Sequence, residues 1–153
     1  MVSPAFGGTN LLYTPPMPSD RDYSHRSLPQ KLGIKPGMRL LIANEPAPDT
    51  IPRADIPEGV KLATRASGSV DMVILFALDV KQLMAKLDSY ISLLPKDGTL
   101  WTCWPKKAAK LSTDIDRDVV FKLLHPTGLV DVKVCSVNET WSALKWVYRK
   151  VDR

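Results

Sequence analysis

Cysteine and histidine are scarce in this chain, which has two residues of each type among 153. Two cysteines are too few for the disulfide framework of a small secreted domain. Cys103 and Cys135 each lie in a β-branched or aromatic run, which predicts reduced thiols in buried strands. Since His25 and His125 lie far apart and no cysteine-histidine cluster has metal-ligand spacing, a transition-metal site is not expected.

Long apolar runs are also missing from the sequence. No segment approaches the roughly 20 apolar residues that a membrane-spanning helix needs, and residues 1–8 lack the basic cluster and apolar stretch of a secretory signal. We therefore expect a cytoplasmic protein without a membrane partner. Apolar residues make up 44% and charged residues 24% of the chain, which is typical of globular proteins and excludes disorder of the whole chain.

The chain divides into a short leader and one domain. Residues 1–26 contain four prolines among small polar residues and show no periodicity, which predicts a flexible leader. Residues 27–153 have the usual length of a single domain. Ser27 and Gln30 stand at capping-box spacing, and Gly33 is placed to end a single helical turn.

Hydrophobic periodicity predicts an α/β domain. Apolar or alternating runs indicate six strands, at residues 38–43, 60–65, 71–77, 99–104, 130–137 and 141–149. Capping-box pairs at Asp79/Gln82 and Thr113/Asp116 open two helices that end near residues 94 and 126. Four prolines exclude a long helix from residues 46–57.

These elements predict a reduced Rossmann-like fold: a mostly parallel sheet of about six strands that ends in an antiparallel hairpin. The last two strands are joined by only three residues, 138–140, so they must be antiparallel. Only about five residues separate the second strand from the third, fewer than a helical parallel crossover needs. The direction of the 60–65 strand therefore stays open.

The order of elements resembles the second half of a class I methyltransferase-like Rossmann domain. The likeness rests on Asp71 at the start of the third strand, on the LPKDGTLW segment that ends at Trp101, and on the final hairpin. More specifically, the chain resembles the bacterial domain-of-unknown-function family 3052 (DUF3052). The family-like segments are residues 31–44, 57–60, 71–76, 98–108 and 128–147. The resemblance implies the fold but no reaction.

The residues that such folds use to bind a cofactor are missing. A dinucleotide or methyl-donor site needs glycines directly after the first strand, so that backbone can approach the ligand. Here Asn44 is followed by EPAPDT, and the next glycine is Gly59. The second strand ends at Thr64 and Arg65 instead of at an acidic residue that could bind ribose hydroxyls. We therefore expect no cofactor.

No catalytic group is predicted either. Ser112 and Ser142 lack the glycine context of a nucleophile elbow. Asp114, Asp116 and Asp118 fall at a predicted helix start, where capping and the helix dipole explain negative charge.

One candidate binding surface lies after the fourth strand. Ligands of open α/β sheets bind beyond the carboxyl ends of the parallel strands, which is where Trp104, Lys106 and Lys107 fall. Thr113 and Asp114 at the following helix start should lie near them. Two ammonium groups, an aromatic ring and helix-start amides can receive an anion. The alternative is that the lysines are solvated and Trp104 belongs to the core.

The terminal hairpin supplies a second candidate. A loop at residues 138–140 places Lys133 opposite Lys145, on the face that also carries Trp141. Like charges in direct opposition are unfavourable unless an acid or a ligand lies between them, and Asp131 or Glu139 is the structural alternative to a ligand. The other face is predicted to pack in the core: Val130, Val132, Val134, Leu144, Trp146 and Tyr148.

The leading functional prediction from the sequence is a non-catalytic domain that recognises a partner protein or a small anionic ligand through these two surfaces. The alternative is a divergent transferase that uses a nucleotide or S-adenosylmethionine without a glycine loop. Nucleic-acid binding is a third and weaker alternative. The net charge is +5, but residues 105–153 mix ten basic with six acidic side chains and contain no basic tract.

Overall fold

A computed structural model describes residues 27–64 and 68–150. The predicted leader, residues 1–26, lies outside the described residues, as does Arg65. Six strands form one sheet: β1 Arg39–Ala43, β2 Lys61–Ala63, β3 Met72–Phe76, β4 Thr99–Pro105, β5 Leu129–Ser136 and β6 Trp141–Tyr148. Four α-helices accompany it: α1 Leu28–Leu32, α2 Val80–Ala85, α3 Leu87–Ser92 and α4 Arg117–Leu124. Within the described ranges, no helix is long and apolar enough to cross a bilayer.

The strand order is β2-β1-β3-β4-β6-β5. β1, β2, β3 and β4 run parallel, whereas β6 is antiparallel to both β4 and β5. The predicted architecture is confirmed: the domain is a reduced Rossmann-like, mostly parallel sheet with a C-terminal antiparallel hairpin. β6 is inserted between β4 and β5, so both strands of the hairpin continue the same sheet.

The structure settles the direction of β2. It pairs in parallel with β1, through Arg39↔Lys61 and two further residue pairs. β3 pairs with the other side of β1, so β2 and β3 lie on either side of β1 and are joined by residues 64–71 alone. This short connection suffices because β2 has only three residues, and the chain has little length to retrace before β3 begins.

The capping signals in the sequence differ in accuracy. At α1 the Ser27 and Gln30 side chains each bond the other residue's backbone N–H, and Gly33 ends the helix at φ 84°. The helix expected over residues 79–94 is instead two helices, α2 and α3, separated at Lys86 by a non-helical backbone with φ −133°. α4 is capped by Asp116 and begins only at Arg117, three residues beyond the predicted start.

The sheet separates two hydrophobic clusters. One lies between the sheet and α2, α3 and α4, and the other between the sheet and α1 with the first crossover. In the second cluster, Ile51 from the proline-rich crossover is fully buried and takes part of the place that a helix would fill. The prediction that residues 46–57 form no regular helix is confirmed, since they contain only a single 3-10 turn, Arg53–Asp55.

The edge strand β5 departs from the predicted core. Val132 and Val134 are 50% and 48% exposed, although Val134 pairs with the buried Leu144. α4 covers Leu129 at the start of β5, and no described helix continues along the rest of this outer strand. Alternation along β5 therefore predicted the wrong burial, because it does not show where the covering layer ends. It also missed the bulge between Asp131 and Val134, which puts Asp131 instead of Val130 on the face of Trp146.

A hydrogen bond from Trp101 connects α1 to the centre of the sheet. Its ring is fully buried in β4, and its indole N–H donates to the Leu32 carbonyl oxygen at 3.0 Å. This carbonyl belongs to the last turn of α1, where no further helical N–H follows to satisfy it. A helix of five residues is too short to be stable alone, so α1 depends on this docking.

Trp101→Phe should lower the free energy of unfolding by about 1 to 3 kcal/mol, because the buried Leu32 carbonyl loses its donor. Urea unfolding measures the loss, and hydrogen exchange of the Gly33 and Ile34 amides should accelerate with it. Trp104→Phe is a matched control, since the Trp104 indole makes no hydrogen bond within the described residues. Equal losses in both variants would contradict the proposed anchor.

Candidate functional site

The carboxyl ends of β1 and β3 form the crevice of this sheet. From β1 the chain moves to β2 on one side and then returns to β3 on the other, so connections leave the two strands in opposite directions. In open α/β sheets, ligands bind at such a switch point. The residues that follow these strands, Asn44 after β1 and Leu78 after β3, therefore define the first place to look for a site.

Asn44 adopts a backbone conformation that is unusual for a residue with a side chain. Its φ is 57°, in the left-handed region. Asparagine tolerates this region better than most residues, which leaves it as the common substitute for glycine in such turns. The tight turn that a glycine would provide at the end of β1 is thus present without glycine.

The Asn44 amide bridges the crevice. Its Nδ2 donates to the Phe76 carbonyl oxygen at 2.9 Å and to Gln82 Oε1 at 3.2 Å. Gln82 Oε1 also accepts from the Leu78 N–H at 2.9 Å. Gln82 therefore does not complete the predicted capping box with Asp79: the Asp79 side chain caps α2 by accepting from the Gln82 N–H, but the Gln82 side chain does not bond back to Asp79. The Gln82 side chain serves the crevice instead.

A cavity of about 380 Å³ opens beside this network. We call it the Asn44 cavity; its lining residues are Asn44, Leu75, Gln82, Ala85, Lys86 and Tyr90. The break between α2 and α3 at Lys86 contributes to its wall. None of these residues was predicted from the sequence as a site residue, although Asn44 occupies the position after β1 where such folds usually have glycine.

A second cavity, of about 320 Å³, lies at the carboxyl end of β4. We call it the Trp104 cavity; its lining residues are Trp104, Pro105, Lys106, Lys107, Ile115, Asp116, Arg117, Asp118 and Ser142. It brings together three residues that the sequence analysis selected. Trp104 is 6% exposed and packs in the core as well, and Lys106 Nζ donates to Ser136 Oγ at 2.7 Å.

Thr113 and Asp114 have structural partners next to this cavity. Thr113 Oγ1 accepts from the Ile115 N–H at 3.1 Å. Asp114 Oδ1 accepts from the Val80 N–H at 2.8 Å. Asp114 therefore caps the start of α2, so neither residue lines the cavity that the sequence placed them beside.

The remaining candidates lie on the terminal hairpin. A β-bulge sets Val132 and Lys133 opposite the single residue Lys145, so the predicted opposition of the two lysines is present. Burial lowers the pKa of Lys145, and the nearby charges of Lys133 and Lys35 lower it further. Trp141 is buried with its ring edge-on to Phe76, and Glu139 is exposed in the hairpin turn. The structure does not bring these residues into either cavity.

The thiols are unsuited to nucleophilic chemistry. Burial strongly raises the pKa of Cys103, and the half-buried Cys135 also has a raised pKa because burial outweighs the neighbouring lysines. The thiolate is the reactive form, and a raised pKa disfavours it, so neither cysteine is a candidate nucleophile.

An ion pair holds the crossover that follows Asn44. Glu45 and Arg53 form a double hydrogen bond, with the shorter contact at 2.7 Å, and Glu45 Oε2 also accepts from the Ile51 N–H at 3.0 Å. Burial alone would raise the pKa of Glu45, but the hydrogen bonds from Arg53 and Ile51 outweigh it and lower the pKa. The charged carboxylate therefore stabilises the loop that frames the crevice.

Comparison with known proteins places the fold among methyltransferases. No protein-family model matches the chain, and no curated protein matches it. A ribosomal protein L11 methylase from Lactobacillus delbrueckii subsp. bulgaricus is similar at TM-score 0.54 and 9% identity, over 80% of this chain and 75% of that chain. A magnesium protoporphyrin IX methyltransferase from Synechocystis PCC 6803, with bound S-adenosylmethionine, is similar at TM-score 0.52 and 15% identity, over 80% and 74%.

A third neighbour is an S-adenosylmethionine-dependent methyltransferase from Aquifex aeolicus, at TM-score 0.52 and 12% identity, over 76% of this chain and 85% of that chain. On these neighbours, the leading prediction of a non-catalytic domain is wrong, and so is the expectation that no cofactor is used. They favour the alternative prediction, a cofactor-using transferase. The absence of glycine after β1 was the reason for expecting no cofactor, but Asn44 forms the left-handed turn that glycine usually supplies.

Glu45→Gln should lower the free energy of unfolding by about 1 to 2 kcal/mol at neutral pH, the range for losing a charge-assisted bond that is partly exposed. A lowered native pKa stabilises the fold above the ordinary carboxyl pKa and ceases to do so as pH falls through the lowered value. The difference from wild type should therefore shrink between about pH 5 and pH 3.

Urea unfolding across that pH range measures this effect. Glu58→Gln, at an exposed carboxylate with no ion pair in the described part of the chain, is the control. A gap between Glu45→Gln and wild type that stays constant down to low pH would show that the carboxylate charge does not stabilise the loop.

Proposed function

We propose that this domain is a transferase that binds S-adenosylmethionine in the Asn44 cavity. The observation that carries the proposal is the position of that cavity, at the carboxyl ends of β1 and β3 in a sheet whose solved neighbours are methyltransferases. A nucleotide is the other ligand that the sequence analysis considered, and it shares the adenosine portion. The resemblance to family 3052 stays a prediction.

The lining residues fit such a ligand. The cavity volume of about 380 Å³ lies within the usual range for small-molecule sites, roughly 300 to 1,000 Å³. Leu75 and the Tyr90 ring can contact the faces of an adenine. Asn44 and Gln82 carry amides that can donate to or accept from its edge and the ribose hydroxyls. The ligand bonds would replace or extend the present Asn44–Gln82 contact.

The cavity departs from the common pattern in one respect. Among the residues that the structure describes, no carboxylate lines it to bind the ribose hydroxyls. The amides of Asn44 and Gln82 are polar groups that can take over that task, and a buried amide costs less desolvation than a buried carboxylate. Affinity should therefore depend strongly on these two side chains.

One hydrogen bond connects a segment beside the Trp104 cavity with a helix that lines the Asn44 cavity. Bound S-adenosylmethionine supplies an electrophilic methyl group on a positively charged sulfur. Asp114 precedes Ile115, which lines the Trp104 cavity. The Asp114 carboxylate accepts from the Val80 N–H at the start of α2. Gln82 of the same helix lines the Asn44 cavity. In this proposal the Trp104 cavity holds the methyl acceptor, and the Asp116 and Asp118 carboxylates that line it are available to accept the acceptor's proton.

Calorimetry with S-adenosylmethionine and its demethylated product tests the proposal. Wild type should bind both saturably. Asn44→Gly keeps the left-handed backbone, which glycine adopts freely, but removes the amide. It should weaken binding at least about tenfold, equivalent to about 1.4 kcal/mol.

Lys110→Gly is the matched control, because Lys110 also has a positive φ, 55°, yet lines neither cavity. It should bind as wild type does. The proposal fails if wild type shows no binding up to about 1 mM ligand, where binding would contribute only about 4 kcal/mol. It also fails if both glycine variants lose affinity equally.

A further inference from the structure

The fold gathers lysines that are scattered along the sequence. Lys145 pairs across strands with the buried Trp101, so it lies on the face of the sheet that α1 covers. The bulge sets Lys133 beside it. Because α1 docks on Trp101 through Leu32, its neighbouring residue Lys31 lies close to the same face. We call Lys31, Lys35, Lys106, Lys133 and Lys145 the lysine face.

The electrostatic influence of these lysines on their neighbours agrees with this placement. The charges of Lys31, Lys133 and Lys106 all act on the Cys135 thiol. Lys133 and Lys35 both act on Lys145. Three parts of the chain, namely α1 with the residues that follow it, the end of β4 and the terminal hairpin, therefore place positive charge around one side of the sheet.

Acidic side chains do not neutralise this charge in the described part of the chain. Asp131 pairs with Trp146, whose ring packs in the cluster on the opposite side of the sheet. Asp71 and Asp97 lie in the same cavity lining as Lys35, but neither forms an ion pair with it. None of the five ammonium groups forms an ion pair with a described residue. Neighbouring like charges on a sheet repel each other, and a bound counter-charge relieves that repulsion.

The lysine face is much longer than a single phosphate. Lys35 shares a cavity at the amino edge of the sheet with Thr99, where β4 begins, and Lys106 directly follows the end of β4. β4 has seven residues, which at about 3.3 Å per residue separates these two lysines by roughly 20 Å along the sheet. A ligand that meets all five ammonium groups must carry several anionic groups in a row.

We propose that the lysine face binds the phosphate backbone of a nucleic acid strand. Regularly spaced phosphates match a row of ammonium groups, and release of their counterions drives the association. The row ends at Lys106, which also lines the Trp104 cavity. A strand bound to the lysine face would bring one nucleotide toward that cavity, which Trp104 lines. The use of that nucleotide as methyl acceptor rests on the proposed function. Backbone binding itself does not.

Fluorescence anisotropy tests the proposal with a labelled single-stranded RNA of about 20 nucleotides, longer than the sites of most single-strand binders. Wild type should bind at about 50 mM salt and weaken steeply as salt rises. In the variant with Lys31, Lys35, Lys133 and Lys145 all changed to Gln, affinity should fall at least tenfold. The slope of log affinity against log salt should decrease by up to about 2.8, at about 0.7 per phosphate contact.

The matched control changes Lys61, Lys81, Lys96 and Lys122 to Gln, which removes the same charge from exposed positions outside the lysine face. It should bind RNA within about twofold of wild type, and thermal melting should show both variants folded. Equal weakening in the two variants would overturn the proposal, because it would indicate net charge alone. So would absence of binding at low salt, or binding to phosphatidylserine vesicles but not to RNA.

The measurement contains no methyl donor, so its outcome is independent of the calorimetric one. RNA binding without donor binding would support the lysine face and contradict the cofactor site. Donor binding without RNA binding would do the reverse.

Discussion

One side-chain amide closes the gap between the two central strands of this sheet. Asn44 reaches from the end of β1 to the Phe76 carbonyl and to Gln82, and its backbone accepts a left-handed turn to do so. The crossover that follows is held by Glu45 and Arg53 in place of a helix. The crevice, the Asn44 cavity and the path of the chain to β2 all depend on this arrangement.

The crossover shows how a parallel sheet can lose a covering helix and remain packed. The proline-rich segment buries Ile51 against the sheet. On the same side, the short helix α1 is secured by the Trp101–Leu32 hydrogen bond. The layer is therefore assembled from short pieces, each held by a specific polar contact. The opposite side keeps a more conventional layer of α2, α3 and α4 over the hydrophobic cluster.

Local signals in the sequence predicted the elements but not their fine geometry. The Ser27–Gln30 capping box and Gly33 were sufficient to define α1, because every group involved lies within one turn. Thr113 and Asp116 were both capable N-caps, and only the tertiary contact of Asp114 with α2 shows why the helix starts later. Val132 and Val134 were predicted to be buried but are exposed, because no described helix covers that part of β5. The sequence of β5 does not show how far α4 extends.

The site was harder to predict than the fold for the same reason. Trp104, Lys106 and Lys107 lie close together in the sequence at the end of a predicted strand, so they could be predicted as one site, and they do line one cavity. Asn44, Gln82 and Tyr90 come from three separate segments and meet only once the strands are ordered. Glycine is the usual residue after β1, and its absence did not indicate that Asn44 supplies both the turn and a polar group. The lysine face likewise exists only in the folded chain.

The central claim is that a methyl donor occupies the Asn44 cavity, and NMR of the labelled protein tests it most directly. On titration with S-adenosylmethionine, the side-chain amide signals of Asn44 and Gln82 and the ring signals of Tyr90 should shift together and saturate. Shifts confined to residues 104–107 and 115–118, or no shifts at all, would contradict the claim.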